Sequence, residues 1–228
     1  MADKSETQKS GGRRSRQTRR ASLTRQKLMD AARSVFAEKG LDLTRIDDIT
    51  ERADVGKGTF YYHFGTKERL IRALIENMMG ELVESIEEKC KGTNDLAELL
   101  DSLIGSHIEF FSNRWEDFVL FYQGRADLTL QEGYSGIDTP FHHYLSRIET
   151  LIDDAIQYRV PKPALRRIAF AAAGFLSGYY SFAAISSHEE NVDEMFRALR
   201  GALVASLTRF IREAAPPSGV PAGGIQDV

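Results

Sequence analysis

The chain has a single cysteine, Cys90, so no internal disulfide framework can hold it together. That usage fits a reducing, cytoplasmic compartment. The first twenty residues, MADKSETQKSGGRRSRQTRR, contain no apolar core, which excludes a secretory signal. Mean hydropathy is -0.33, which argues against a polytopic membrane protein. No run alternates with the period of a strand, and no internal repeat is visible. Motifs of catalysis are missing too. There is no nucleophile elbow, no glycine-rich phosphate loop, no zinc spacing and no clear carboxylate pair. His142 and His143 are adjacent without a partner at metal-ligand spacing, which disfavours a metal site. The expectation is a protein that is not an enzyme and carries no cofactor.

What the chain does have is a core-forming composition and a split charge. Hydrophobic residues make up 42% and charged residues 28% of 228, enough for a packed fold. The net charge of -3 conceals two opposite halves. Residues 1–66 hold 14 basic and 9 acidic side chains, whereas residues 67–228 hold 16 and 24. A basic head on an acidic body suits a polyanion-binding module joined to a module with another task. Residues 1–21 are polar and basic without periodicity, so a disordered tail is expected. Its cluster Arg13, Arg14, Arg16, Arg19 and Arg20 fits contact with a phosphate backbone or a minor groove; it equally fits a solvated tail.

From Ser22 or Thr24 the pattern turns helical. Leu28, Ala31, Ala32, Val35 and Phe36 fall on one helical face, and Gly40 caps the C-terminus. A second helix is expected from about Ile46 to Ala53, with Thr44 as cap and Asp47 reaching back. The turn Asp54-Val55-Gly56 leads into a short third helix, Lys57 to about Phe64. Thr66 then caps a long fourth helix, about Lys67 to Lys91, roughly 37 Å in length. Two short helices around a tight turn have the outline of a helix-turn-helix. Ile46, Ile49, Ala53, Val55 and Phe60 supply its apolar contacts. The third helix is left to expose Lys57, Thr59, Tyr61, Tyr62 and His63. That set has donors and aromatics but no acid, which suits a helix laid in a major groove. Partial packing against the fourth helix is expected of one aromatic, Tyr62. Lys67 stands where the helix dipole disfavours a cation; a nearby phosphate or ordinary surface tolerance would account for it.

The stretches AARSVFAEKG, TRIDDITERADVGKGTFYYHF and GTKERL, in this order and spacing, resemble the DNA-binding domain of TetR-family transcriptional repressors. The resemblance covers about Leu23 to Leu82. It implies a homodimer that binds a near-palindromic, double-stranded DNA operator and releases it when a small molecule enters the C-terminal domain. The recognition helix maps to Lys57–Phe64. Phosphate contacts map to Thr44, Tyr62, His63 and Lys67, and base contacts to Arg45, Lys57, Gly58, Thr59 and Tyr61. Asp54 stands where the family often has glycine, and Asp tolerates a left-handed backbone better than most residues. Gly56 replaces a serine, so that side chain's phosphate contact is missing.

Further helices are expected at about 95–113, 115–128, 139–158, 164–186 and 191–213. Pro161-Lys162-Pro163 and Gly133-Tyr134-Ser135-Gly136 mark breaks. Residues 164–186 carry no charge from Ile168 to Ser187. Their apolarity comes mostly from alanine, which favours a buried interface helix over a membrane span. In the family the last two long helices form a four-helix dimer interface, and 164–186 with 191–213 resemble that pair. Between them and the head lies an aromatic-rich stretch with scattered polar groups. His107, Phe111, Trp115, Tyr122, His142 and Arg147 are its candidate ligand contacts for a small hydrophobic or aromatic effector; many of the aromatics there fit a plain core equally well. The expected organisation is all-α. A tail at 1–21 precedes a DNA-binding domain at 22–84, with the helix-turn-helix at about 45–64. A ligand-binding and dimerisation domain at 85–213 and a disordered tail at 214–228 complete it. Two alternatives stay open: a nonspecific DNA-binding protein, and an enzyme that uses the C-terminal cavity.

Overall fold

A computed structural model describes residues 6–112, 114–127, 138–156, 160–186 and 192–214. They form nine α-helices: α1 (Glu6–Lys39), α2 (Ile46–Arg52), α3 (Lys57–His63), α4 (Lys67–Cys90), α5 (Leu96–Ser112), α6 (Trp115–Asp127), α7 (Asp138–Ala155), α8 (Lys162–Ser186) and α9 (Val192–Ala214). No strand occurs among the described residues. The expected helices are all found, each within a few residues of its expected ends except at the start of α1. There the helix continues back to Glu6, where the sequence reading has a disordered tail. Lys, Arg, Gln and Glu are good helix formers and make up most of this stretch, although Gly11, Gly12 and several Ser and Thr interrupt them. The C-terminal tail, 214–228, and the loop at 133–136 lie outside the described residues, except for Ala214, which closes α9.

The chain divides into two compact units, Met1–Glu76 with Trp115–Gly136, and Asn77–Arg114 with Ile137–Val228. Helix α4 contributes Lys67–Glu76 to the first and Asn77–Cys90 to the second.

In the first unit, Leu28, Ala32 and Phe36 of α1, Ile49 of α2, Phe60 of α3 and Leu70, Ile71, Leu74 and Ile75 of α4 are fully buried. Gly40 ends α1 at φ 79°, its N–H donating to the Phe36 carbonyl at 2.8 Å. Helix α6 belongs to this unit, although it falls inside the expected C-terminal domain. It packs on α1, with Phe118, Leu120 and Phe121 buried, and is held there by polar ties. Arg33 pairs with the buried Asp117 at 2.8 Å, Ser34 Oγ donates to Glu116 at 2.9 Å, and the Leu41 N–H donates to Gln123 Oε1 at 3.2 Å. A buried carboxylate needs such a partner, because its unpaired charge would be costly to desolvate.

In the second unit, the core joins Met78, Leu82 and Ile86 of α4, Leu100, Leu103 and Ile104 of α5, Ile148 and Ile152 of α7, Ile168 and Ala169 of α8, and Leu207 and Ile211 of α9. Pro161 and Pro163 stand at the start of α8, where a missing N–H costs nothing; the Pro161 carbonyl accepts from the Ala164 N–H at 2.8 Å. Arg200 of α9 holds Asp101 of α5 with two bonds of 2.6 Å and donates to its carbonyl at 2.8 Å. The guanidinium lies where a side chain at Gly105 would stand, 2.6 Å from an ideal Cβ. Among the described residues, no helix is long and apolar enough to cross a membrane.

Candidate nucleic-acid interface

The geometry of the site begins at the α2–α3 turn. Ala53 ends α2, and Asp54 follows at φ 51°, the one described non-glycine with positive φ. Asp is among the few residues for which that conformation is mild. The Val55 N–H returns to the Thr50 carbonyl at 3.0 Å and closes the turn. Gly56 is the N-cap of α3 and accepts from the Thr59 N–H at 2.8 Å. Helix α3 is anchored by Phe60, whose ring meets Tyr61 edge-on at 5.7 Å and Phe64 at 5.9 Å. Arg25 of α1 lies 4.9 Å above the Phe64 ring, fixing α3 against α1.

This anchoring decides what α3 presents. Lys57, Gly58, Tyr61 and Tyr62 are exposed, and Thr59 and His63 are half-buried. Tyr62 is 80% exposed. The expectation that it packs against α4 is therefore corrected; its ring instead meets His63 edge-on at 5.0 Å. Arg45 is exposed at the start of α2.

Two residues assigned to phosphate by resemblance have side chains engaged within the fold. Thr44 is buried, and its Oγ1 donates to the Gly40 carbonyl at 2.7 Å. Lys67 Nζ donates to the carbonyls of Leu41 at 2.9 Å, Thr44 at 3.1 Å and Asp42 at 3.5 Å. Those three carbonyls explain a cation at the start of α4 without a phosphate. They also tie down the loop that delivers Arg45. The expected cap of α2 shifts by one residue. Arg45 is the N-cap, and its N–H donates to Asp48 Oδ2 at 2.8 Å, so Asp48 rather than Asp47 reaches back. Thr66 caps α4 as expected, accepting from the Arg69 N–H at 3.2 Å.

Charges around the site are mostly paired. Glu38 takes both ends of Arg52 at 2.8 and 2.7 Å, and Lys39 meets Asp48 at 2.6 Å. The Arg52 bond holds the Glu38 carboxyl below its ordinary value, and the Lys39 bond does the same for Asp48. Lys57 Nζ lies 2.7 Å from Asp47 Oδ1, and that bond raises the lysine's pKa. The sequence reading assigns Asp47 to the cap of α2 and not to Lys57. Asp47 is ten positions from Lys57, and no local spacing rule connects residues on either side of a turn.

The six candidate ligand residues divide between the units. Trp115 and Tyr122 belong to the first, where they flank Phe118 with ring separations of 5.5 and 6.3 Å, and both are half-exposed. His107, Phe111, His142 and Arg147 belong to the second. His107 and Phe111 are buried, His142 is exposed, and Arg147 pairs with Glu87. Burial pushes the His107 pKa down to about 4. The ring is thus neutral: Nδ1 donates to the Leu103 carbonyl at 2.7 Å, and Nε2 accepts from the Tyr144 hydroxyl at 2.6 Å. A groove of about 630 Å³ on the second unit is lined by Glu81, Glu84, Ser85, Glu88, Glu109, Phe110 and Arg114, and contains none of the six. No group of three potential metal ligands occurs among the described residues.

A helix-turn-helix whose second helix exposes donors and aromatics, followed by a separate helical unit, defines the class of two-part DNA-binding proteins. Residues 28–74 match the family model of bacterial regulatory proteins, tetR family. Among its relatives is an uncharacterized HTH-type transcriptional regulator, YvdT, of Bacillus subtilis, 33% identical over 123 residues. That match covers 54% of this chain and 63% of the relative, less than two thirds of its length. The negative regulator of a biofilm operon from Staphylococcus epidermidis, IcaR, is 26% identical over 59% of this chain and 69% of its own. The fold is shared with the regulator FadR from Bacillus subtilis, solved in complex with stearoyl-CoA. The TM-score is 0.67 at 20% identity, over 82% of this chain and 98% of that one.

Proposed function

We propose that the protein is a ligand-responsive transcriptional regulator that represses its target by binding operator DNA as a homodimer. The observation that carries this is the exposed face of α3: Lys57, Gly58, Tyr61 and Tyr62 stand clear of the core on a helix held by Phe60. Lysine meets guanine acceptors, and tyrosine hydroxyls meet phosphate oxygens. Arg45 adds a cation at the start of α2. Thr59 and His63 are half-buried and take edge contacts. Thr44 and Lys67 act from within the fold by fixing the α1–α2 loop, and their backbone N–H groups remain the proposed phosphate contacts.

Pairing of two subunits through 164–186 and 191–213 is part of the same proposal. Phe170 on α8 and Phe210 on α9 are 52% and 41% exposed, an apolar surface that a second copy would cover. Two recognition helices reach successive major grooves when they are about 34–36 Å apart. The effector is proposed to be small and hydrophobic, supported by the likeness in fold to a regulator solved with stearoyl-CoA. His107 and Phe111, inside the second unit, are its best-placed contacts, joined by His142 and Arg147 of the same unit. An enzyme built on Cys90 gains no support. The thiol is buried, and burial pushes its pKa up to about 11, away from the reactive thiolate.

Titrating the purified protein against the DNA upstream of its own gene and against a scrambled fragment tests the reading. Selective binding supports regulation. Equal weak binding to both fragments, with affinity falling steeply in salt, supports a nonspecific binder instead.

A further inference from the structure

Asp47 has no part in capping α2, which Asp48 performs. Its side chain is 67% exposed and lies against the 52%-exposed Lys57 at the head of the proposed recognition helix. An exposed ion pair shifts a folding equilibrium by no more than about fivefold. A matched contact to a base edge discriminates by roughly five- to 150-fold. The pair is therefore minor as a stabiliser of the head and costs little to redirect toward DNA.

Resting on the DNA-binding reading of α3, we infer that Asp47 and Lys57 act together as one donor–acceptor unit that reads the orientation of a single base pair. At the middle of the major-groove edge, every base pair sets a keto oxygen beside an amino nitrogen. In a G·C pair these are guanine O6 and cytosine N4; in a T·A pair they are thymine O4 and adenine N6. The two atoms are hydrogen-bonded to each other, about 2.9 Å apart. The Lys57 ammonium and the Asp47 carboxylate are 2.7 Å apart. Laid against such a pair, the ammonium donates to the keto oxygen and the carboxylate accepts the free amino N–H. The bond between Asp47 and Lys57 is kept. Turning the base pair around sets carboxylate on keto oxygen and ammonium on amino group, two repulsions at once. A third ammonium N–H can reach guanine N7, where thymine presents a methyl group, so guanine is preferred over thymine on the lysine side.

Selection of bound duplexes from a pool with a randomised operator, followed by affinity measurements on all four base pairs at each position, tests this. The full-length wild type is expected to show a position with G strongly preferred, T second, and the reversed pairs C and A disfavoured by at least tenfold. Asp47→Asn, whose carboxamide both donates and accepts, weakens the discrimination against the reversed pairs at that position by at least threefold, while the preference for G over T, which rests on the Lys57 ammonium, is kept; other positions keep theirs. The exchange Asp47→Lys with Lys57→Asp inverts the preferred orientation, with circular dichroism checking the fold. Unchanged preference at every position in Asp47→Asn overturns the inference, whether or not the exchanged variant folds. Absence of any selective binding by the wild type removes the DNA-binding reading itself, a distinguishable failure.

Discussion

At the scale of single residues, buried polar groups carry the clearest consequences. His107 is neutral inside the second unit, with a folded pKa of about 4 against an ordinary value of 6.5. Its unfolded form takes up a proton as pH falls through 6.5, while the folded form stays neutral until about pH 4. Stability is thus full above 6.5 and declines toward 4, by about 3 kcal/mol from this group. Denaturant unfolding of wild type and His107→Gln at a series of pH values checks it: the pH-dependent loss is smaller in the variant over that window. Tyr144→Phe removes the hydroxyl that donates to Nε2 and is expected to cost about 1–2 kcal/mol at pH 7. In the first unit, Asp117→Ala leaves Arg33 without its 2.8 Å partner. Loss of one member of a buried pair costs about 3–5 kcal/mol, and the partial exposure of Arg33 places this one at the low end. Thermal unfolding followed by circular dichroism measures it. Neither of these two pairings was legible in the sequence. Arg33 and Asp117 are separated by 84 positions, His107 and Tyr144 by 37, and no periodicity links residues on different helices.

At the scale of elements, periodicity and punctuation carried most of the fold. Leu28, Ala32 and Phe36 announce the buried face of α1, and Gly40 ends that helix with a left-handed backbone as expected. Thr66 and Gly56 cap where their positions imply. The misplaced cap of α2 has a local cause. Thr44 and Arg45 are adjacent, as are Asp47 and Asp48, so the pattern fits either register. The burial of Thr44 against Gly40 selects the second. Tyr62 was misassigned because a seven-residue helix presents too few apolar positions for its face to be read, and Phe60 alone supplies the anchor. The turn itself gives a prediction. Asp54→Val places a β-branched residue at φ 51° and is expected to destabilise the head by about 1–2 kcal/mol. Asp54→Gly is expected to be neutral or slightly stabilising, as judged by the melting temperature.

At the scale of the whole molecule, composition divided the chain into a basic head and an acidic body before any helix was placed. It did not show that the division is interrupted. Trp115–Asp127 lies within the stretch expected to form the ligand-binding domain, yet it packs on α1. Aromatic content marks a helix as buried but does not say against which neighbour, and for that reason the sequence groups Trp115 and Tyr122 with His107. The proposed association belongs to this scale as well. Phe170→Glu together with Phe210→Glu places charge on the exposed apolar face of α8 and α9. Sedimentation is expected to report a monomer in place of a dimer, with operator affinity reduced at least tenfold.

Operator binding by the wild-type protein at about 0.15 M salt, where nonspecific affinity is roughly 10⁻⁴–10⁻⁶ M, is the decisive measurement. DNA from directly upstream of the gene is compared with a scrambled fragment of equal length. Nanomolar binding to the first and micromolar or weaker binding to the second is the predicted result. Failure to bind either fragment, even at low salt, would contradict the assignment of α3 as a recognition helix.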